Sequence, residues 1–278
     1  MLCTKSYAKV NLFLNVVGKN LNGYHDVQSH FLRLKLHDIV YVSLSDTLRC
    51  SVEGAKISAE GNIALKAAQY LQKTHNVLQG ADIRIIKNIP VAAGLGGGSS
   101  NAAAVLKLLT KLWGLKELKK NVLGEIAFKI GADVPFFISN YQSSFVEGVG
   151  DILTPKKLGI KFYILLVNPK INILSKEAYA HILTDAFSPN IICNTQPIIN
   201  EIFHGKNDLE PHIKKHYPVI DKLLKTIQQQ QNCIVSRMSG SGSTCFGIFD
   251  KKTDVLSAAE NMSRKHPDYW FYNQLVLI

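Results

Sequence analysis

The sequence has little acid to set against its base. Twenty-one Asp and Glu face 32 Lys and Arg in 278 residues, a formal net charge of +11. No apolar run approaches the ~20 residues of a bilayer-spanning helix, and the apolar stretch Phe162–Val167 has only the length of a strand. The opening MLCTKSYAKV lacks the apolar core and small-residue cleavage site of a secretion signal, so a soluble cytoplasmic protein is expected. Cysteine is sparse: Cys3, Cys50, Cys193, Cys233 and Cys245 are odd in number and scattered, with no C-x-x-C pair. That pattern argues against a disulfide framework and a zinc ribbon. The one histidine pair at helical spacing, His212 and His216, lacks the glutamate of H-E-x-x-H, so no metalloenzyme is indicated. Lys and Arg never run beyond two together, Arg is scarce, and aromatics do not interleave with them. The excess charge therefore reads as a solvated surface that attracts small anions rather than as a nucleic-acid groove.

What is present is ordinary globular chemistry, with 46% hydrophobic and 19% charged residues. The length suits two domains or one large one. Ser6–Val17 alternates as a strand, with Ala8, Val10, Leu12 and Leu14 on one face and Lys9, Asn11, Phe13 and Asn15 on the other. Asn22-Gly23 marks a tight turn. Further strands are predicted at Ile39–Leu44, Leu48–Val52 and Ala81–Lys87, and helices at Asn62–Lys73, Asn101–Trp113 and Leu118–Ile130. A change of composition over Thr154–Gly159 predicts a domain boundary, giving residues 1–155 and 156–278. The second part holds strands at Phe162–Val167, Cys233–Met238, Cys245–Phe249 and Trp270–Ile278. Between them lie a polar stretch, Ser188–Pro197, and helical spacing over Pro211–Gln231 and Asp254–Lys265. Strict β-α alternation is missing, which favours an α+β fold over a doubly wound sheet.

The sharpest signal is Pro90-Val91-Ala92-Ala93-Gly94-Leu95-Gly96-Gly97-Gly98-Ser99-Ser100, between a predicted strand and a predicted helix. Its glycines let the backbone approach a ligand closely, and ending at a helix start aims free N–H groups and the positive dipole end at one point. That suits a phosphate. Ser99, Ser100 or Asn101 would cap the helix or donate to phosphate oxygens. Walker A fails because no lysine follows the glycines, and the dinucleotide fingerprint fails because Ser99 replaces its third glycine. Nor does an acidic strand end follow at the right distance, since Glu117 lies between two helices.

Lys9 and Asn11 are polar insertions on one face of an apolar strand. Either both point into a site that holds an anion, or Lys9 sits on an edge strand facing water. Asp133, in G-A-D-V-P, is expected at a helix-to-strand junction with Pro135 holding Val134 extended. Alone it reads as a turn or capping residue; facing a lysine and a phosphate loop it reads as a general base. Ser239-Gly240-Ser241-Gly242-Ser243-Thr244 is a second N–H-rich loop, either a hairpin connection or an anion site. Glu147–Gly150 reads as a turn.

Together these segments resemble the GHMP kinase superfamily. Pro90–Ser100 is similar to its phosphate loop, Lys9-Val10-Asn11 to its N-terminal motif and Ser239–Thr244 to its C-terminal glycine-rich motif. A-K-V-N-L-F-L at Ala8–Leu14, G-Y-H at Gly23–His25, G-A-D-V-P at Gly131–Pro135 and E-G-V-G at Glu147–Gly150 resemble one branch most closely. That branch acts on a cytidyl-diphosphate sugar alcohol in the non-mevalonate isoprenoid pathway. The resemblance implies an α+β fold of two domains, the first like ribosomal protein S5 domain 2 and the second ferredoxin-like, with substrates in the cleft between. It implies ATP-dependent phosphorylation of the 2-hydroxyl of 4-diphosphocytidyl-2-C-methyl-D-erythritol.

By the same resemblance, Asp133 matches the general base and Lys9 its charged partner. Residues 90–100 match the ATP site, and Gly240, Ser241 and Gly242 a substrate-binding loop. Tyr24 matches the residue that stacks on cytosine and His25 the one that hydrogen-bonds it. Tyr179 matches the second aromatic of that sandwich, where the family more often has Phe, and Asn11 lies near the substrate's hydroxyls or phosphates. Ala92-Ala93 stand where some members have glycine, and Ser188–Gln231 matches little. ATP and Mg²⁺ are the expected cofactors, the latter with no legible ligands beyond Ser100 as a candidate. The expected partners are small molecules, with neither nucleic acid nor membrane, and the expected state is a monomer or weak homodimer. Two rivals stand beside this reading. A homoserine or mevalonate kinase would have no reason to read cytosine, and an RNA-binding module would have no use for Gly94–Ser100.

Overall fold

The computed structural model describes residues 1–21, 23–58, 61–115, 120–180, 182 and 187–278, with the backbone alone at 120 and 121. The expected Asn22 turn position, the start of the helix expected at Leu118, and Glu117 lie outside the described residues. Along the chain run β1 (Leu2–Lys19), β2 (His25–Ser45), β3 (Arg49–Glu53), α1 (Ile63–Thr74), β4 (Gly80–Ile86), α2 (Gly97–Leu112), α3 (Lys120–Ile130) and α4 (Val134–Ser139). Next come β5 (Ser143–Glu147), β6 (Ile152–Pro155), β7 (Lys161–Asn168), α5 (Ser175–Tyr179), α6 (Thr195–His204), α7 (Glu210–His216) and α8 (Pro218–Gln228). The chain closes with β8 (Cys233–Met238), β9 (Cys245–Phe249), α9 (Lys252–Lys265) and β10 (Trp270–Leu277). The helix-and-strand mixture is the α+β class expected.

The chain forms two compact units. The first comprises Met1–Ala8, Lys35–Val91 and Gly96–Tyr141. In it the second half of β2 pairs antiparallel with β4, from Ile39 opposite Ile86 to Ser45 opposite Gly80, and β3 lies parallel to β4 on its other side. Asn62 caps α1 by accepting from the Ala64 and Leu65 amides at 3.0 and 3.3 Å. Ala64, Ala67, Ala68 and Leu71 form its buried stripe. Helix α2 buries Ala102 to Leu106 together with Leu108 and Leu109, the small residues of its first turns letting neighbours pack closely.

The second unit comprises Lys9–Leu34, Ala92–Leu95 and Gln142–Ile278. The first half of β2 pairs with β5, and β5 with β6 across the Glu147–Gly150 turn, closed by Gly150 N–H donating to Glu147 O. A separate four-stranded sheet has the order β10-β7-β9-β8, every neighbour antiparallel. Counted from β7, this is strand-helix-strand-strand-helix-strand with the fourth strand beside the first and the third beside the second, the ferredoxin-like arrangement. Leu165, Val167, Leu223, Ile227, Phe249, Val255 and Met262 form its core.

Three local expectations are corrected. Helix α2 begins at Gly97, four residues before the expected Asn101, because two glycines are tolerated in a first turn whose N–H groups need no helical partner. The helix expected over Pro211–Gln231 is broken into α7 and α8 at Tyr217, which leaves helical geometry (φ −125°, ψ 79°) just before Pro218 opens the next helix. Val134 is helical rather than extended: Pro135 sits in the first turn of α4, where its missing N–H costs nothing.

Candidate active site

In the first unit, Gly96 is the N-cap of α2 in the left-handed conformation (φ 67°) with no side-chain cap bond. A Cβ on Gly97 would come 2.9 Å from Ile89 Cγ2 and 3.2 Å from Lys87 Nζ, so any other residue there would require these side chains to shift. The serines and Asn101 do not cap the helix as expected. Ser100 and Asn101 turn inward: Ser6 Oγ donates to Ser100 Oγ at 2.8 Å, and Asn101 Nδ2 donates to Ser6 Oγ at 2.9 Å. What this end of α2 presents to an anion is backbone N–H groups and a helix dipole.

Asp133 occupies the N-cap position of α4 but makes no side-chain cap bond (φ −79°, ψ −16°). It follows the α3 end, where Val134 N–H donates to Gly131 O at 3.0 Å. The junction is therefore helix to helix, not helix to strand, and the carboxylate is not consumed as a cap.

In the second unit the two glycine segments meet. Gly94 is left-handed (φ 72°), and a Cβ there would lie 2.1 Å from Ser239 O. Ser239 Oγ donates to Gly94 O at 3.0 Å, Thr244 N–H donates to Ala93 O at 3.2 Å, and Lys9 N–H donates to Leu95 O at 2.9 Å. The backbone N–H of Asn11 donates to the same Ser239 hydroxyl at 3.2 Å. Ser239 thus joins the β1 motif, residues 92–95 and the β8–β9 loop. The latter is more than a hairpin connection. Asn207 Nδ2 donates to both Met238 O (2.8 Å) and Gly240 O (2.7 Å), and Asn168 Nδ2 donates to Thr244 Oγ1 at 2.9 Å. Ser241 Oγ lies 3.1 Å from Ser175 Oγ at the start of α5.

Lys9 and Asn11 are 4% and 2% exposed, which removes the edge-lysine reading. Lys9 Nζ donates to Asn11 Oδ1 and lies 4.3 Å from the centre of the Phe31 ring. Asn11 Nδ2 donates to Ser29 Oγ at 3.0 Å, so the amide is oriented from both ends. A Cβ on Gly240 would come 2.9 Å from Asn11 Oδ1, so the loop's glycine is needed for this approach.

Tyr24 is exposed at the β1–β2 connection, its N–H donating to Asn20 Oδ1 at 3.1 Å. His25 stacks on Tyr179, ring centres 5.4 Å apart and planes 25° apart. Burial and the nearby Lys19 charge hold the His25 pKa below its usual value, with Asp26 opposing. A neutral imidazole donates at one nitrogen and accepts at the other. Ser239 opens the expected second glycine loop, whereas Ser29, Asn168 and Asn207 were not among the expected site residues. Their signal was weak: single polar residues at strand ends or inside apolar runs, individually indistinguishable from turn residues.

Residues 62–141 match the model of the GHMP kinases N terminal domain, and residues 197–268 that of the GHMP kinases C terminal domain. The sequence is 34% identical to 4-diphosphocytidyl-2-C-methyl-D-erythritol kinase of Wolbachia pipientis wMel, over 99% of both chains. It is 34% identical to that of Ehrlichia canis (strain Jake), over 98% of both. The chain belongs to the 4-diphosphocytidyl-2-C-methyl-D-erythritol kinase family of GHMP kinases. Its fold agrees: a crystal structure of a 4-(cytidine 5'-diphospho)-2C-methyl-D-erythritol kinase superposes with a TM-score of 0.80 at 28% identity, over 98% of each chain. As a member of this kinase family the chain is a phosphotransferase with an alcohol acceptor and ATP as co-substrate.

Proposed function

We propose that this kinase transfers the γ-phosphoryl group of ATP to the 2-hydroxyl of 4-diphosphocytidyl-2-C-methyl-D-erythritol, giving the 2-phosphate and ADP. The observation that supports it best is the junction at Ser239, which ties the N-terminal motif, residues 92–95 and the second glycine loop into one hydrogen-bonded assembly. A connection between two strands has no need of such an assembly. Phosphoryl transfer does, because it depends mainly on positioning and on neutralising charge. Full-length similarity to kinases named for this substrate supports the acceptor.

In this reading residues 90–100 hold the nucleotide's phosphates through backbone N–H groups, and Asp133 accepts the proton of the attacking hydroxyl. Lys9 supplies positive charge and Asn11 orients the acceptor. Gly240, Ser241 and Gly242 contact substrate. Mg²⁺ bound with ATP would supply charge neutralisation at the transferring phosphoryl group. Tyr24 and Tyr179 enclose the cytosine and His25 hydrogen-bonds it, the His25–Tyr179 stack supplying the aromatic surface. A functional division after residue 155 accompanies this reading, since it separates the N-terminal family match from the C-terminal one.

Base recognition provides the test. Tyr24→Ala and Tyr179→Ala should each raise KM for the cytidyl substrate by ~1–3 kcal/mol of lost stacking, roughly 5- to 150-fold, with KM for ATP unchanged. Unchanged KM for the cytidyl substrate in both variants would remove the base from the reading and favour another small-molecule acceptor.

A further inference from the structure

The first unit contains a buried polar chain whose members Asp38, Lys87, Asn101 and Ser6 the functional reading leaves unused. Asp38, in β2, is fully buried. Its Oδ1 accepts from the backbone N–H groups of Asn88 (2.7 Å) and Ile89 (2.9 Å), the two residues before Pro90. Its Oδ2 accepts from Lys87 Nζ (2.5 Å) and from Asn101 Nδ2 (2.9 Å). Lys87, whose side chain is 4% exposed, also donates to Asn101 Oδ1 at 3.1 Å. From Asn101 the chain continues through Ser6 to Ser100, each link under 3 Å.

A buried ion pair is a poor device for stability alone, because desolvating two charges offsets most of their attraction, and an apolar pair of similar volume often serves as well. What the pair does better is fix geometry. One carboxylate here holds the residues at which the chain enters the glycine segment and the residue that follows Ser100 at the start of α2. The ammonium that neutralises it lies against Gly97, the first residue of that helix. The spacing between Ile89 and Asn101 and the orientation of the first turn are set together.

We propose that Asp38 is a positioning residue for nucleotide binding: through Lys87, Asn101 and Ser6 it fixes the first turn of α2, so that the amides of that turn stay aimed at a nucleoside triphosphate's phosphates. The inference rests on the ATP reading of residues 90–100. Asp38→Asn keeps the shape and loses the charge. It should raise KM for ATP by at least ~10-fold, the scale of a charged hydrogen bond, with KM for the alcohol substrate unchanged. Ser6→Ala cuts the link between Asn101 and Ser100 without touching the ion pair, so it remains informative where Asp38→Asn does not fold. It should raise KM for ATP and the dissociation constant of ADP by ~3- to 10-fold, again without moving KM for the alcohol. A merely structural role would lower the melting temperature and leave that ratio of KM values alone. Wild-type protein that binds ADP, beside a Ser6→Ala variant whose ADP affinity and KM for ATP stay within twofold, overturns the inference alone. Wild-type protein that binds no ADP overturns the kinase reading and this inference with it.

Discussion

Two buried polar residues on neighbouring strands behave differently. Lys9 has an oriented amide acceptor in Asn11 and an aromatic face in Phe31, so its burial is organised. His30 has neither: it is fully buried, and no described residue partners either ring nitrogen. Burial, reinforced by the Lys156 charge, pushes its pKa down to about 3. The unfolded chain therefore takes up a proton near pH 6.5 that the folded chain refuses, and stability falls as pH drops from about 6.5 toward 3. Replacing the imidazole removes that linkage and the unpartnered nitrogens together. His30→Leu should stabilise the fold by about 2 kcal/mol more at pH 5 than at pH 7.5, read as the pH dependence of the urea midpoint. Parallel pH profiles for wild type and variant would contradict this.

At the scale of elements, the glycine segments show what sequence can and cannot disclose. Gly94 was legible as a residue that lets backbone approach, but the partner it approaches, Ser239, is 145 residues away. Nothing in local periodicity could reveal it. Gly94→Ala would impose a left-handed conformation on a residue with a Cβ and drive that Cβ into Ser239 O. The conformation alone should cost about 1–3 kcal/mol, with nucleotide affinity lost in parallel; an unchanged melting temperature with normal ADP binding would refute the packing described. Strands β8 and β9 were readable to the residue because apolar runs bounded by a glycine loop leave little choice. The first half of β2 was not, because His25, Asp26, Gln28 and His30 interrupt its apolar pattern. Of these, Gln28 is explained by tertiary contacts: its Nε2 donates to Glu147 Oε1 and its Oε1 accepts from the Ile191 amide. The α2 start was misplaced because serine and asparagine are the usual caps, whereas here glycine caps and the polar side chains face inward.

At the scale of the molecule, the α+β class follows from the mixed order of strands and helices in the sequence, whereas the ferredoxin-like half was implied by the family resemblance and is seen in the sheet order β10-β7-β9-β8. The positive charge is spread over exposed lysines and suits a catalyst whose two ligands are both polyanions. The motifs carried the family, because their glycines, lysine and aspartate have few structural substitutes. The supporting polar residues Asp38, Lys87 and Asn207 were silent, because their roles exist only once distant strands are brought together. The central claim is that this assembly phosphorylates a cytidyl-diphosphate alcohol with Asp133 as the base. ADP release measured with Mg-ATP and 4-diphosphocytidyl-2-C-methyl-D-erythritol, beside mevalonate and homoserine, tests it for wild type and Asp133→Asn. The account predicts turnover with the cytidyl substrate alone, reduced at least ~100-fold in the variant. Turnover that survives Asp133→Asn, or that favours mevalonate or homoserine, would contradict it.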